Sequence, residues 1–254
     1  MKIGSLFSGI GGLELGLEAG IPGAHTVWQA ESDSFCRTVL ARHWPDAERF
    51  ADVRDIGASN YQPDLLCGGF PCQDLSQANR WGRGLAGERS ELWGEFTRVI
   101  EAVEYPRWIV IENVGPAWRR WVPFVRRDLW GLGYASLPLW LHSSEIGAPH
   151  DRRRVFVLAH ARTEVLSVVR HWWTAPDADC NGKSPCAVDA EVAGVPAASG
   201  LHQQDWRQPP PRALGVVDGL PAGLVSARLS AIGNAVMPQQ SEVIGRLIAR
   251  AEAQ

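Results

Sequence analysis

Apolar residues in this chain fall into short runs separated by glycine, proline and charged breaks, and the spacing inside the runs alternates between strand and helix periods. Residues 2–8 predict a buried strand, Gly9-Ile10-Gly11-Gly12 a turn, and Leu13, Leu15, Leu17 and Ala19 a helix stopped by Gly20 and Pro22. Residues 26–30 predict a second strand ending at Glu31, and 35–44 an amphipathic helix preceded by Ser32-Asp33-Ser34. Residues 49–53 read as a third, short strand with Asp52 at its tip, and 64–66 as a fourth. Ser90 is placed to cap a helix whose Leu92, Phe96, Val99, Ile100 and Val103 recur at helical spacing. The clearest buried strand is 108–111, which runs into Glu112-Asn113-Val114-Gly115. A short helix over 124–130 and strands over 135–142 and 155–159 follow. The closing helix carries Val243, Ile244, Leu247 and Ile248 on one face, which predicts packing on the sheet of the first domain.

Strands alternating with helices predict an α/β fold with a mostly parallel, doubly wound sheet. Three regions are expected: a main domain over 1–160, an irregular region over 161–212, and a segment over 213–254 that returns to the main domain. In the middle region Pro, Gly, Ala, Asp and Gln dominate, periodicity fades after Val169, and Pro209-Pro210-Pro211 closes the interval.

Composition narrows the classes. A chain of 254 residues accommodates one large α/β domain with a small appendage. No apolar run approaches the roughly 18 residues that span a bilayer, and the opening Met-Lys-Ile-Gly leads into a strand pattern with no signal peptide. Five cysteines at irregular spacing suggest a reduced, cytoplasmic protein, and Cys180 and Cys186 lack the paired spacing of a zinc site. A formal charge of −3 argues against a uniformly basic surface but leaves room for a local basic cleft, since arginines cluster at 119–120, 126–127 and 152–154. Twelve tryptophans are a heavy load, most of them expected in the core and a few free to stack on bases.

The chemistry concentrates where strands end. Leu65-Leu66-Cys67-Gly68-Gly69-Phe70-Pro71-Cys72 places a thiol just beyond a strand, where glycines relax the backbone and Pro71 fixes its own φ. Such a thiol serves as a nucleophile, or simply fills a tight turn. Glu31, at the tip of the second strand and about twenty residues after the glycine turn, is placed either to accept from ribose hydroxyls or to belong to a helix cap. Asp52 is similarly placed for an adenine amino group. Glu112 lands at the same sheet edge as Cys72, as a general acid with a raised pKa or as a solvated turn residue. In an extended segment Arg152 and Arg154 point to one face and Arg153 to the other, which suits an anionic or carbonyl-rich ligand or else a solvated edge. Residues 74–89 hold no usable period and read as a functional loop.

In this order the motifs resemble the DNA cytosine-C5 methyltransferases, and most closely their compact phage and bacterial members. Residues 7–12 look like that family's first motif, 68–73 its nucleophile motif, Glu112-Asn113-Val114 its acid motif, Arg152 and Arg154 its arginine pair, and 233–238 its last motif. The resemblance implies a Rossmann-like, S-adenosylmethionine-dependent methyltransferase fold with a small recognition region over 161–212. It also implies a cofactor pocket of Phe7, Ser8, Gly9, Gly11, Gly12, Leu13, Glu31, Ser32, Asp52, Val53, Pro71, Leu92, Asn234 and Val236. Cys72 would attack carbon 6 of a cytosine flipped out of the duplex, Glu112 would hold or protonate ring nitrogen 3, Arg154 would contact the base carbonyl, and Arg152 would orient the thiolate and a nearby phosphate. No metal is implied. The implied partner is double-stranded DNA, with a cognate restriction endonuclease left open, no membrane, and a monomeric chain.

The chain departs from the family pattern at three places. His150 stands where glutamine is common, Ser32 where a large aromatic often stacks on adenine, and the penultimate motif is not found. Two other functions share the motif order: a tRNA cytosine methyltransferase, and a catalytically inactive DNA-binding relative. An amino-group methyltransferase would need an Asn or Asp followed by two prolines and an aromatic, and that run is missing. An oxidoreductase would need dinucleotide glycine spacing, which 9–12 do not have.

Overall fold

Strand residues with odd and even numbers go to different cores. Ile3, Leu65, Cys67, Trp108, Val110, Phe156 and Leu158 face one cluster, whereas Leu6, Leu66, Ile109, Ile111, Val155 and Val157 face the other. Period-two alternation in which both phases are apolar marks strands covered on both faces. The structure is a computed structural model and describes residues 1–57, 62–70, 90–146, 148, 152–173 and 230–254, with backbone alone at 90, 91, 171 and 172.

The elements are β1 (Lys2–Leu6), α1 (Gly12–Gly20), β2 (His25–Ala30), α2 (Ser34–His43), β3 (Glu48–Phe50), β4 (Leu65–Gly68), α3 (Ser90–Ala102), β5 (Trp108–Val114), α4 (Trp118–Gly131), β6 (Ala135–His142), β7 (Arg153–His160), α5 (Thr163–Trp172) and α6 (Pro238–Glu252). Seven strands form one sheet in the order β3-β2-β1-β4-β5-β7-β6. Pairings among β1 to β5 are parallel, and β7 runs antiparallel to both β5 and β6. The order reverses between β1 and β4, the switch point where open α/β sheets hold ligands beyond their strand ends.

One face is covered by α1, α5 and α6, and the other by α3 and α4. The α1–α6 contact is closer than the expected packing of the last helix on the sheet. Gly12, Gly16 and Gly20 recur every four residues along α1, and a Cβ at Gly16 would overlap the Pro238 carbonyl and Ser241 Oγ. A Cβ at Gly20 would overlap the Glu242 carbonyl, and Gly245 presents a matching gap from α6. Backbone thus meets backbone along the seam, and Val243, Ile244, Leu247 and Ile248 are buried with it. Full burial contributes about 1.5–3 kcal/mol per side chain of this size.

Several boundaries differ from the sequence expectation. β1 ends at Leu6 rather than residue 8, because Phe7 already turns with a left-handed φ of 56°. β3 is shorter and earlier than 49–53, because Asp52 accepts from Arg54 N and opens a 3-10 turn over Val53–Asp55. β5 continues through Glu112 and Asn113 to Val114, drawn on by its antiparallel neighbour β7. α4 starts at Trp118 rather than 124 and includes Pro123, whose missing N–H is tolerated where Trp121, Val122, Val125 and Leu129 are buried. α5 opens the expected recognition region, and its Leu166 and Val169, with Trp173 after it, pack in the first core cluster. The rest of the expected recognition region, 174–212, lies outside the described residues, as does the loop 74–89. Among the described residues no helix is long and apolar enough to cross a membrane.

Candidate functional site

The turn after β1 is built from left-handed residues. Phe7 and Gly9 both have φ 56° and Gly11 has φ 86°, and a Cβ at Gly11 would also run into the Trp44 ring. For Phe7 that region is costly and rarely occupied, a mark of a backbone held for a purpose. The turn is tied to the next strand end: Ser8 N donates to the Ala30 carbonyl at 3.1 Å, and Gly9 N to Glu31 Oε2 at 2.7 Å. Glu31 Oε1 accepts from Asp33 N at 2.8 Å. The cap of α2 is Asp33, which accepts from Cys36 N, so Glu31 is free of that duty. Two backbone donors fix its half-buried carboxylate, and each oxygen keeps a lone pair for another donor.

Gly12 has no room for a side chain because the Val236 carbonyl lies against it, and Ser241 Oγ donates to the Gly12 carbonyl at 3.1 Å. The last motif therefore touches the first, with Val236 half-buried and Asn234 exposed beside it. Leu13 is buried in the core, so it offers a ligand only backbone. Phe7 and Leu92 are partly buried against the second cluster, and Ser32 is exposed. Val53 is buried, its carbonyl accepting from Arg98. Asp52 is engaged by Arg54, whose hydrogen bonds and charge lower its pKa to about 2.

On the other side of the switch point, Glu112 is 6% exposed and its Oε1 lies 2.6 Å from Arg154 Nε. Burial pushes its pKa up to about 7, against the opposing charges of Arg154 and Arg152. A Cβ at Gly69 would stand 2.9 Å from Glu112 Oε2, so the glycine after β4 makes room for this carboxyl. Asn113 Nδ2 donates to the Phe70 carbonyl at 2.9 Å, and Phe70 is wedged between Trp93 and Trp121 at 5.5 and 6.0 Å. The backbone leading into Pro71 and Cys72 is thus held up to its last described residue. Pro71 and Cys72 lie outside the described residues, as does His150. Cys67 is fully buried, with its pKa raised by that burial, and belongs to the core.

Arg152 and Arg154 are partly buried and Arg153 exposed, the alternation expected of an extended segment. The two buried arginines do different things. Arg154 pairs with Glu112, whereas Arg152 donates from NH2 to the carbonyls of Gly233 at 3.0 Å and Ala235 at 2.5 Å. Glu112 and the arginine pair are therefore brought together, as are the glycine turn, Glu31 and Val236. Three contributors escaped the sequence reading. Asn113 enters the sequence reading only as part of a motif, Gly12 and Gly20 only as a turn and a helix stop with Gly16 passed over between them, and Gln240 carries no sequence signal.

The family profile for C-5 cytosine-specific DNA methylases matches residues 1–191. The chain is 34% identical over 214 residues to the Type II methyltransferase M2.BsuMI of Bacillus subtilis, covering 81% of this chain and 54% of that protein. It is 33% identical over 159 residues to the Type II methyltransferase M.HgiBI of Herpetosiphon aurantiacus, covering 60% and 36%. The chain thus spans about half, or less, of the length of these relatives. Among solved structures, the Entamoeba histolytica methyltransferase EhMeth superposes with a TM-score of 0.56 at 19% identity, over 64% of this chain and 53% of that one. The S. pombe Dnmt2 methyltransferase superposes with a TM-score of 0.52 at 22% identity, over 63% and 49%.

Proposed function

The chain belongs to the C-5 cytosine-specific DNA methylase family, and from that premise we propose that it transfers a methyl group from S-adenosylmethionine to carbon 5 of a cytosine flipped out of duplex DNA. The observation that carries this reading is the buried Glu112–Arg154 pair, held by β5 and β7 beside Gly69 after β4, two side chains that match a cytosine edge. A carboxyl held at about 7 supplies a proton or a hydrogen bond to ring nitrogen 3, and the guanidinium beside it suits the carbonyl at position 2.

Cys72, carried just past Phe70, is the nucleophile in this reading. Its thiolate adds to carbon 6, breaking the aromatic ring, and Glu112 neutralises the charge that develops at nitrogen 3. Carbon 5 then has the electron density to take a methyl group; loss of its proton and departure of the Cys72 sulfur restore the ring. Extruding the base costs a few kcal/mol.

The residues of the glycine turn fit the cofactor. Gly9 has open space where a side chain would stand, which leaves the turn accessible to a ligand, and the pinned Glu31 carboxylate retains acceptor capacity for ribose hydroxyls. Both Asp52 oxygens accept from Arg54, so an adenine amino group would take the place of one of those donors. Pro71, Leu92, Val53, Asn234 and Val236 are the proposed walls. When bound, S-adenosylmethionine supplies a methyl group made electrophilic by its sulfonium.

The test is incorporation of labelled methyl into DNA and, in parallel, into tRNA. Label at carbon 5 of cytosine in DNA, lost in Cys72→Ser, is the expected result. Label in tRNA alone would replace the substrate, and full activity in Cys72→Ser would remove the covalent step. Bisulfite sequencing of DNA from expressing bacterial cells then reads the target sequence. The Type II names of the relatives make a cognate endonuclease the partner to seek.

A further inference from the structure

Arg152 and Arg154 sit on the same face of one extended segment, yet their side chains reach different parts of the molecule. Arg154 turns to Glu112 on the base side. The Arg152 guanidinium instead caps two carbonyls, those of Gly233 and Ala235, one residue short of Val236. Val236 in turn lies with its carbonyl against Gly12 in the glycine turn. The Arg152 backbone is fixed as well: its N–H donates to Ser143 Oγ at 2.7 Å, and its carbonyl accepts from Gln240 Nε2 at 2.9 Å. Gln240 also donates to the Leu141 carbonyl, so the first turn of α6 is stapled to the end of the β6–β7 hairpin.

Resting on the reading of 233–236 as a wall of the cofactor pocket, we propose that Arg152 is a positioning residue that latches this wall to the base side. A planar guanidinium donating to two carbonyls fixes both its own strand and the segment it holds. Ordering 233–236 around the cofactor and setting Arg154 beside Glu112 are then one event, because the two arginines are a single residue apart on a rigid strand start. Arg152 works on the cofactor side in this account, where the family resemblance alone would send it to the thiolate and a phosphate.

The experiment titrates the intact chain with S-adenosylhomocysteine by calorimetry, without nucleic acid, and measures steady-state methylation beside it. Arg152→Gln is expected to weaken S-adenosylhomocysteine binding by about tenfold or more, the size of effect that loss of charged hydrogen bonds produces. Arg152→Lys keeps the charge but not the planar Nη2 that meets both carbonyls, and is expected to raise KM for S-adenosylmethionine with kcat retained. Arg154→Lys is expected to do the reverse, lowering kcat with cofactor affinity within about twofold of wild type. If Arg152→Gln binds S-adenosylhomocysteine like the wild type while turnover falls, the latch is overturned and Arg152 acts on the base side. Should Arg152→Gln fail to melt cooperatively, the Arg152→Lys kinetics decide: a lower kcat at unchanged KM overturns the proposal. A wild-type chain that binds no S-adenosylhomocysteine would instead remove the cofactor reading itself, a distinct failure.

Discussion

Glu112 is buried next to a guanidinium, and the two facts pull its pKa in opposite directions. Burial wins, holding the carboxyl at about 7. Folding therefore takes up a proton at Glu112 between its ordinary 4.5 and about 7. Its contribution to stability is fully present below pH 4.5 and is lost as pH rises through 7, an effect on the order of 3 kcal/mol. The melting temperature of Glu112→Gln should fall less steeply than that of the wild type between pH 5 and 7, as differential scanning calorimetry can measure; equal slopes would contradict it. In the proposed reaction the same proton would be the one offered to ring nitrogen 3. Single-turnover methylation should decline above about pH 7, and Glu112→Gln should lower the rate by about 100-fold or more while abolishing that alkaline limb. Next to it, Asn113→Ala would leave the Phe70 carbonyl unmatched, costing about 1–3 kcal/mol, with turnover reduced more than cofactor affinity.

At the scale of elements, the seam between α1 and α6 joins the two ends of the chain. Its glycines are there because carbonyls of the partner helix occupy the space of a side chain. Gly16→Ala should therefore destabilise the protein by about 1–3 kcal/mol although alanine is the better helix former, because overlap with the Pro238 carbonyl outweighs propensity. The expected fall in melting temperature is several degrees. The same substitution should weaken S-adenosylhomocysteine binding, since α6 follows directly on the segment that meets Gly12. Unchanged stability in Gly16→Ala would mean that the helices separate without penalty. Glu18 adds a polar clasp at this level, accepting from Thr26 N and Oγ1 and from the Trp44 indole, which holds α1 to β2 and to the end of α2.

For the whole molecule, the reversal of strand order between β1 and β4 sets the proposed cofactor side beside the proposed base side. The chain builds the first from its opening hundred residues and finishes it with its last. Val243, Ile244, Leu247 and Ile248 complete the cluster that also holds Ile3, Leu17 and Trp108. Removing residues 238–254 should uncover that face, giving loss of a cooperative melt and strong binding of a hydrophobic dye; a truncated chain that melts like the wild type would contradict this packing. At the opposite end of the strands, Trp108 Nε1 and Arg107 both donate to Glu252, closing α6 onto the start of β5.

The alternation of strand and helix periods was legible along most of the chain, because a strand buried on both faces and an amphipathic helix each leave a local signature. Glu31, Glu112 and the arginine pair stood out as charged residues at the borders of apolar runs, and only the structure shows Glu112 beside Arg154 and Glu31 pinned by the glycine turn. Boundaries were less legible: β5 runs on through Glu112 and Asn113 only because β7 pairs with them, and α5 belongs to the core only because Leu166 and Val169 find partners there. The sequence by itself determined the set of chemical groups and the order in which strand ends would present them. Which arginine holds Glu112 and which holds the last motif, and why every fourth residue of α1 must be glycine, depended on approaches between segments more than forty residues apart. No local pattern encodes those approaches, because the steric and hydrogen-bonding partners meet only after the sheet has closed the distance.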